Sequence, residues 1–245
     1  NRYTVTVTDL RHHRDTLGFT GGGAFATFAA AGRTFSLNGA LNQSGSLDLT
    51  YASLPGITTI IIDGAGGSDT INIGDFSART GFPGLTIHGG TGDDTVNFNG
   101  DITFATDASL DADLQNDDPA PGIDTVNVAT NANILTSGTG TITVKVSRSF
   151  AMASGSSFET VNGGITVEAN QQATPASGTF IGVLVSNAQV KSTGTGTVSV
   201  LGKGGDSGTN QYGVSVAAAG SITGGTSGTT TVVGRAGAST GAFAK

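Results

Sequence analysis

The chain has 245 residues, a formal net charge of −7, 40 glycines and no cysteine. Charged residues make up 12%, roughly half the usual share, so neither a charge-swollen disordered tail nor a phosphate-binding surface of clustered Lys and Arg is expected. Disulfides and thiolate metal sites are excluded, and no apolar run is long enough for a membrane span.

Strand signals dominate in chain order. Asn1-Arg2-Tyr3 opens with alternation rather than a charged-then-apolar export signal, so any such signal would lie outside this sequence. Tyr3–Thr8 reads as a strand, Leu10–Asp15 as a polar loop and Gly21–Gly23 as a turn. Ala24–Ala31 is the one window with tolerable helical periodicity, short and uncapped. These features assign residues 1–55 to irregular N-terminal coils. Thr58–Ile62 then begins a second region, 56–163, in which one pattern recurs: an acid, Thr, a β-branched residue and Asn. Its copies start at Asp69, Asp94, Asp124 and Glu159, with steps of 25, 30 and 35 residues. Variable steps at a fixed strand motif predict loops of different length leaving a constant rung. Residues 105–123 read as the longest excursion, holding Asp107, Asp111, Asp113, Asp117 and Asp118, with Pro119 and Pro121 against regular pairing. The asparagines Asn72, Asn97, Asn127 and Asn162 would either stack as a hydrogen-bonded ladder at a coil corner or close their strands one by one.

The third region, 164–245, repeats at 31–33 residues. Gly182-Val183-Leu184-Val185 is answered by Gly213-Val214-Ser215-Val216, and Val190 by Ile222. Thr197–Lys203 is answered by Thr229–Arg235, and Ile165–Glu168 precedes Val198–Leu201 in the same way. Phe180, Tyr212 and Phe243 keep the beat. A unit of three short strands cannot bury its own apolar face, whereas stacked units can. The fold class expected is therefore all-β: a right-handed parallel β-helix of about 25–35 residues per coil. Val183, Val185, Val198 and Val200 would point inward; Thr197 and Ser199 would point out. About eight coils would make a rod roughly 40 Å long. The chain stops where the next strand is due, which suggests a segment of something longer.

Residues 89–97, Gly-Gly-Thr-Gly-Asp-Asp-Thr-Val-Asn, fit the nonapeptide G-G-x-G-x-D-x-U-x, and residues 64–72 miss only its second glycine. This resembles the calcium-binding repeats of RTX-type secreted proteins. The resemblance implies calcium ligands at Asp69 and Asp94, with Gly64, Gly66, Gly89 and Thr91 as backbone contributors. Calcium takes six to eight oxygens, and Asp63 and Asp93 would add charge. The nonapeptides are not in tandem, however, and the third copy, Pro119–Asp124, has lost both leading glycines. A purely structural turn explains the same residues.

Catalytic constellations are sparse. His12 and His13 would face opposite ways, His88 falls where Asp63 falls one coil earlier, and none has zinc spacing. Pairs such as Asp93–Asp94 and Asp117–Asp118 have no basic partner at a readable offset, and the glycine-rich Gly202–Gly208 has no helix after it, which makes it a coil corner. The Gly- and Thr-rich acidic solenoid resembles bacterial surface and secreted β-helix repeat proteins, of the adhesin and autotransporter-passenger type. That implies an extracellular or cell-surface structural or adhesive segment without enzymatic activity. Its partners would be neighbouring segments, further copies of itself, or surface glycans, with no nucleic acid. A polysaccharide lyase or glycoside hydrolase is the alternative, and would show three acids or a base–acid pair within about 6 Å on one face. A flat Thr-x-Thr face for ice or another ordered surface is a third reading, which the middle region interrupts.

Overall fold

The computed structural model describes the backbone of five strands within 4–49, and the chain over 59–63, 67–77, 80–115 and 122–237. Among the described residues there are strands and no helix. They form three sheets. The first runs, in spatial order, β2 (Arg14–Gly18), β1 (Thr4–Asp9), β4 (Arg33–Asn38), β6 (Thr59–Asp63), β9 (Gly84–His88), β12 (Leu110–Asp113), β15 (Ile142–Val146), β18 (Ile165–Ala169), β21 (Val198–Lys203) and β24 (Thr230–Arg235). The second holds β3 (Ala24–Ala26), β5 (Gly45–Leu49), β7 (Asp69–Ile73), β10 (Thr95–Phe98), β13 (Thr125–Val128), β16 (Ser149–Met152), β19 (Val183–Ser186) and β22 (Val214–Ala217). The third holds β8 (Thr80–Phe82), β11 (Ile102–Thr106), β14 (Asn133–Ser137), β17 (Ser157–Thr160), β20 (Gln189–Ser192) and β23 (Ser221–Thr223).

From β6 onward every pairing is parallel and joins strands three elements apart. Each coil thus contributes one strand to each sheet, which is a parallel β-helix. Antiparallel pairing among the described residues is confined to β1 with β2 and with β4. Ala24–Ala26, in the window with helical periodicity, is a strand. Val183 pairs with Val214, Val190 with Ile222 and Val198 with Thr230, the repeat expected from sequence. Phe243 lies outside the described residues.

Alternation explains the packing. In β15 the burial runs inward at Ile142, Val144 and Val146 and outward at Thr143 and Lys145. Ile165, Val167, Val183, Val185, Val198 and Val200 are at most 1% exposed. Removing each such side chain from water is worth roughly 1.5–3 kcal/mol. Aromatic rings join the second and third sheets inside the coil: Phe158 meets Phe150 at 5.4 Å and Phe98 edge-on at 6.2 Å between centroids. Where an inward residue of the third sheet is polar, its hydroxyl caps a nearby carbonyl. Thr136 Oγ1 donates to Gly140 O, Thr160 Oγ1 to Gly163 O and Ser192 Oγ to Val161 O, each at 2.7 Å.

Two expectations need correction. Glu159–Asn162 is not the fourth copy of the acid–Thr–β-branched–Asn rung. The strand stacked on Thr125–Val128 is Ser149–Met152, while Glu159 lies in the third sheet beside Leu135 and Lys191. Its phase is inverted too: Thr160 is fully buried, whereas Thr125 is not. The 35-residue step therefore vanishes, and coil steps include 23 residues, Asp124 to Ser147, and 33, Asn162 to Thr195. The second correction concerns 105–123. Leu110–Asp113 is an in-register rung between β9 and β15, with Leu110 and Ala112 in the core. Leu114 is buried as well, so no excursion starts before it. Asp117, Asp118 and both prolines lie outside the described residues.

Candidate functional site

The glycine–aspartate turns stack one coil apart at the start of the second sheet. The Gly67 N–H donates to Thr91 O at 2.8 Å, bringing the two nonapeptide-like turns into register. Gly92 has φ +125°, and a Cβ there would overlap Gly67 O; one on Gly122 would overlap Gly92 O. These glycines are required because one backbone lies directly on the next.

Inside the turns the aspartates form a buried column. Asp69, Asp94 and Asp124 are 6%, 0% and 0% exposed. The Asp69 N–H donates to Asp94 Oδ1 at 2.8 Å, and the Asp94 N–H to Asp124 Oδ1 at 2.7 Å. Ser147 ends the run: its Oγ accepts the Asp124 N–H at 2.9 Å and lies 2.7 Å from Asp124 Oδ2. Each carboxylate or hydroxyl thus receives the amide of the aspartate that leads into the strand of the coil before it. Bonds from amides to carboxylates are charge-assisted and stronger than neutral ones. Gly89 leaves room for this, since a Cβ there would meet Asp94 Oδ2 and Leu114.

Asp69 and Asp94 are joined by a hydrogen bond, Gly89 lies against Asp94, and Thr91 O accepts the Gly67 N–H, while Gly64 and Gly66 lie outside the described residues. Three oxygens of these turns face amides: Asp94 Oδ1 that of Asp69, Thr91 O that of Gly67, and Asp93 Oδ1 that of Ile123 at 2.8 Å. Among the described residues no group of three or more His, Cys, Asp or Glu is placed to hold a metal ion.

Outside the turns lies the asparagine ladder. Asn97 Nδ2 donates to Asn72 Oδ1 at 2.9 Å, and Asn127 Nδ2 to Asn97 Oδ1 at 3.0 Å. The next position in the column is Ala151. Asn162 instead accepts the Thr195 N–H and hydroxyl, both at 3.2 Å. His88 sits on the outer face between Asp63 and Asp113, and His12 and His13 lie outside the described residues. Arg148 lies over the Phe180 ring at 5.1 Å, a cation–π contact.

The outer face of the third sheet carries a groove of about 460 Å³. Within it Lys191 Nζ meets Glu159 Oε2 at 3.1 Å. Sequence reasoning misses this pair because the rung motif puts Glu159 in the wrong column. The signal that finds it is the 32-residue step, which joins Glu159 to Lys191 and also Phe158 to Val190. On the first sheet, outward hydroxyls at Thr141, Thr143, Thr166, Thr197 and Ser199 alternate with interruptions at Gly84, Asp111 and Gly164. No family model, curated protein or solved structure matches the chain.

Proposed function

We propose that this chain is an extracellular structural and adhesive segment of a larger bacterial surface protein. The observation that carries the reading is the stack of parallel rungs in three sheets, whose aspartate and asparagine columns join coil to coil. Such a stack builds length, and its outward residues are mostly small hydroxyl and amide groups suited to contact rather than chemistry. Neighbouring segments of the same protein or further copies of the chain are the partners this reading takes, since parallel rungs pair edge to edge along the stack. The test is labelling of intact bacteria by antibodies to the purified chain. Labelling of intact cells supports the reading, and labelling only after permeabilisation sinks it.

Polysaccharide cleavage is the second reading, favoured by the Lys191–Glu159 pair in its groove. Glycoside hydrolysis places its two carboxyl groups about 5–9.5 Å apart. Asp101 and Glu159 lie two rungs and two residues apart, with backbones about 12 Å apart at ordinary strand spacings. An exposed ion pair is also an ordinary surface feature. New reducing ends or unsaturated products from polysaccharides incubated with the chain would support the enzyme instead. Calcium is the resemblance's addition to the structural reading, and melting with the ion and with a chelator tests it.

A further inference from the structure

We propose that the groove over the third sheet binds a linear, uncharged, hydroxyl-rich glycan along the solenoid axis. This rests on the adhesive part of the reading above and names its partner.

Two columns of side chains line the groove across four rungs, which span about 14 Å at ordinary strand spacing. The first column is preorganised. Asn133 donates from its backbone N–H and from Nδ2 to Asp101 Oδ1, at 2.8 and 3.0 Å, and Ser157 Oγ donates to Asn133 Oδ1 at 2.7 Å. The column continues to Gln189, which is exposed and lines the groove; a carboxamide offers two donors and an acceptor. The second column is Thr103, Leu135, Glu159 and Lys191. The ion pair uses one of the three donors of Lys191 and one oxygen of Glu159, so both keep capacity to bind a ligand. Leu135, next to Glu159 in the same column, gives the half-buried apolar contact that a sugar's C–H face needs.

The charges choose among ligands. Two carboxylates, Asp101 and Glu159, face one ammonium, Lys191, in a chain of net charge −7. A polyanion is repelled there, while hydroxyls find fixed donors and acceptors repeating rung by rung. The shape of the groove, longer than one sugar and open along the rungs, favours a chain over a monosaccharide.

The test uses the purified chain with cellohexaose, mannohexaose and chitohexaose, with hexagalacturonate as the acidic comparison. The readouts are amide NMR shifts and calorimetry. At least one neutral hexasaccharide should bind with a Kd on the order of 1 mM or tighter, shift amides in β14, β17 and β20, and bind more tightly than its trisaccharide. Gln189→Ala and Lys191→Met should each weaken binding at least about fivefold while leaving the thermal midpoint in place. Both side chains lie on the surface, so the variants keep the fold. Absence of binding by all neutral hexasaccharides at 10 mM overturns the proposal. So does preference for hexagalacturonate, binding that ignores both substitutions, or the same shifts arising from self-association at high protein concentration. Surface labelling of intact cells is independent of this outcome, so failure of the groove and failure of the surface reading are told apart.

Discussion

Individual residues hold the coils together through specific amide acceptors. Asp94 shows the logic: its carboxylate is fully buried and takes the amide of Asp69 in the adjacent coil. Asp94→Ala removes the acceptor and leaves a buried N–H without it, at a cost of about 1–3 kcal/mol for the amide alone. Asp94→Asn keeps an oxygen in place and should lose less; equilibrium denaturation of the two variants checks the order. Gly92→Ala meets backbone strain and overlap with Gly67 O together, and should lose at least about 2 kcal/mol in the same measurement. On the surface, Asp107 has φ 63° and holds the next coil through the Thr139 N–H at 2.7 Å and hydroxyl at 2.9 Å. Hydrogen bonds from Thr139 keep its carboxyl below the usual value of 3.8, and bonds from Ser77 do the same for Asp75. A depressed folded value gives stability that is fully present above pH 3.8 and lost as pH falls through the folded value. Asp107→Asn, which tolerates the same backbone, should flatten the loss of stability below pH 3.8 in acid titrations; an unchanged acid limb would contradict this role.

At the scale of elements, each rung pairs by matching its apolar alternation to its neighbours. Phe158 illustrates the energetics, since it touches Phe98 and Phe150 across the interior. Phe158→Ala should cost about 3–5 kcal/mol in chemical denaturation. The repeat in residues 164–245 is legible because its coils keep nearly equal length, so Val183, Val190 and Val198 announce their partners directly. The earlier coils vary in length, 23 residues from Asp124 to Ser147 but 32 from Asp101 to Asn133, and there the motif misleads. Glu159-Thr160-Val161-Asn162 looks like a rung of the second sheet, yet Thr160 can turn inward because its hydroxyl finds Gly163 O. Leu110–Asp113 reads as loop because alternate aspartates hide a strand whose other face is Leu and Ala. The aspartate turns are legible as a place of close backbone approach. Their role as amide acceptors is not, because glycine–aspartate spacing looks alike whether the oxygens meet an ion or an N–H.

At the largest scale, the described coils stack into a rod joined by hydrogen-bonded columns. A calcium ion bound only by the folded chain would raise the thermal midpoint with concentration. The amide-bonded aspartate column predicts a midpoint that changes by no more than about 1 °C between millimolar calcium and excess chelator, and a rise of several degrees would assign the turns to calcium. The stack itself is open to a direct test, because the chain has no cysteine of its own. Leu184 pairs with Ser215 across adjacent coils, and residues facing each other on neighbouring strands lie within the reach of a disulfide. The double variant Leu184→Cys with Ser215→Cys should cross-link rapidly under mild oxidation, whereas Leu184→Cys with Val216→Cys, on opposite faces, should not. Equal cross-linking in both, or none in the first, would contradict the stacked parallel coils.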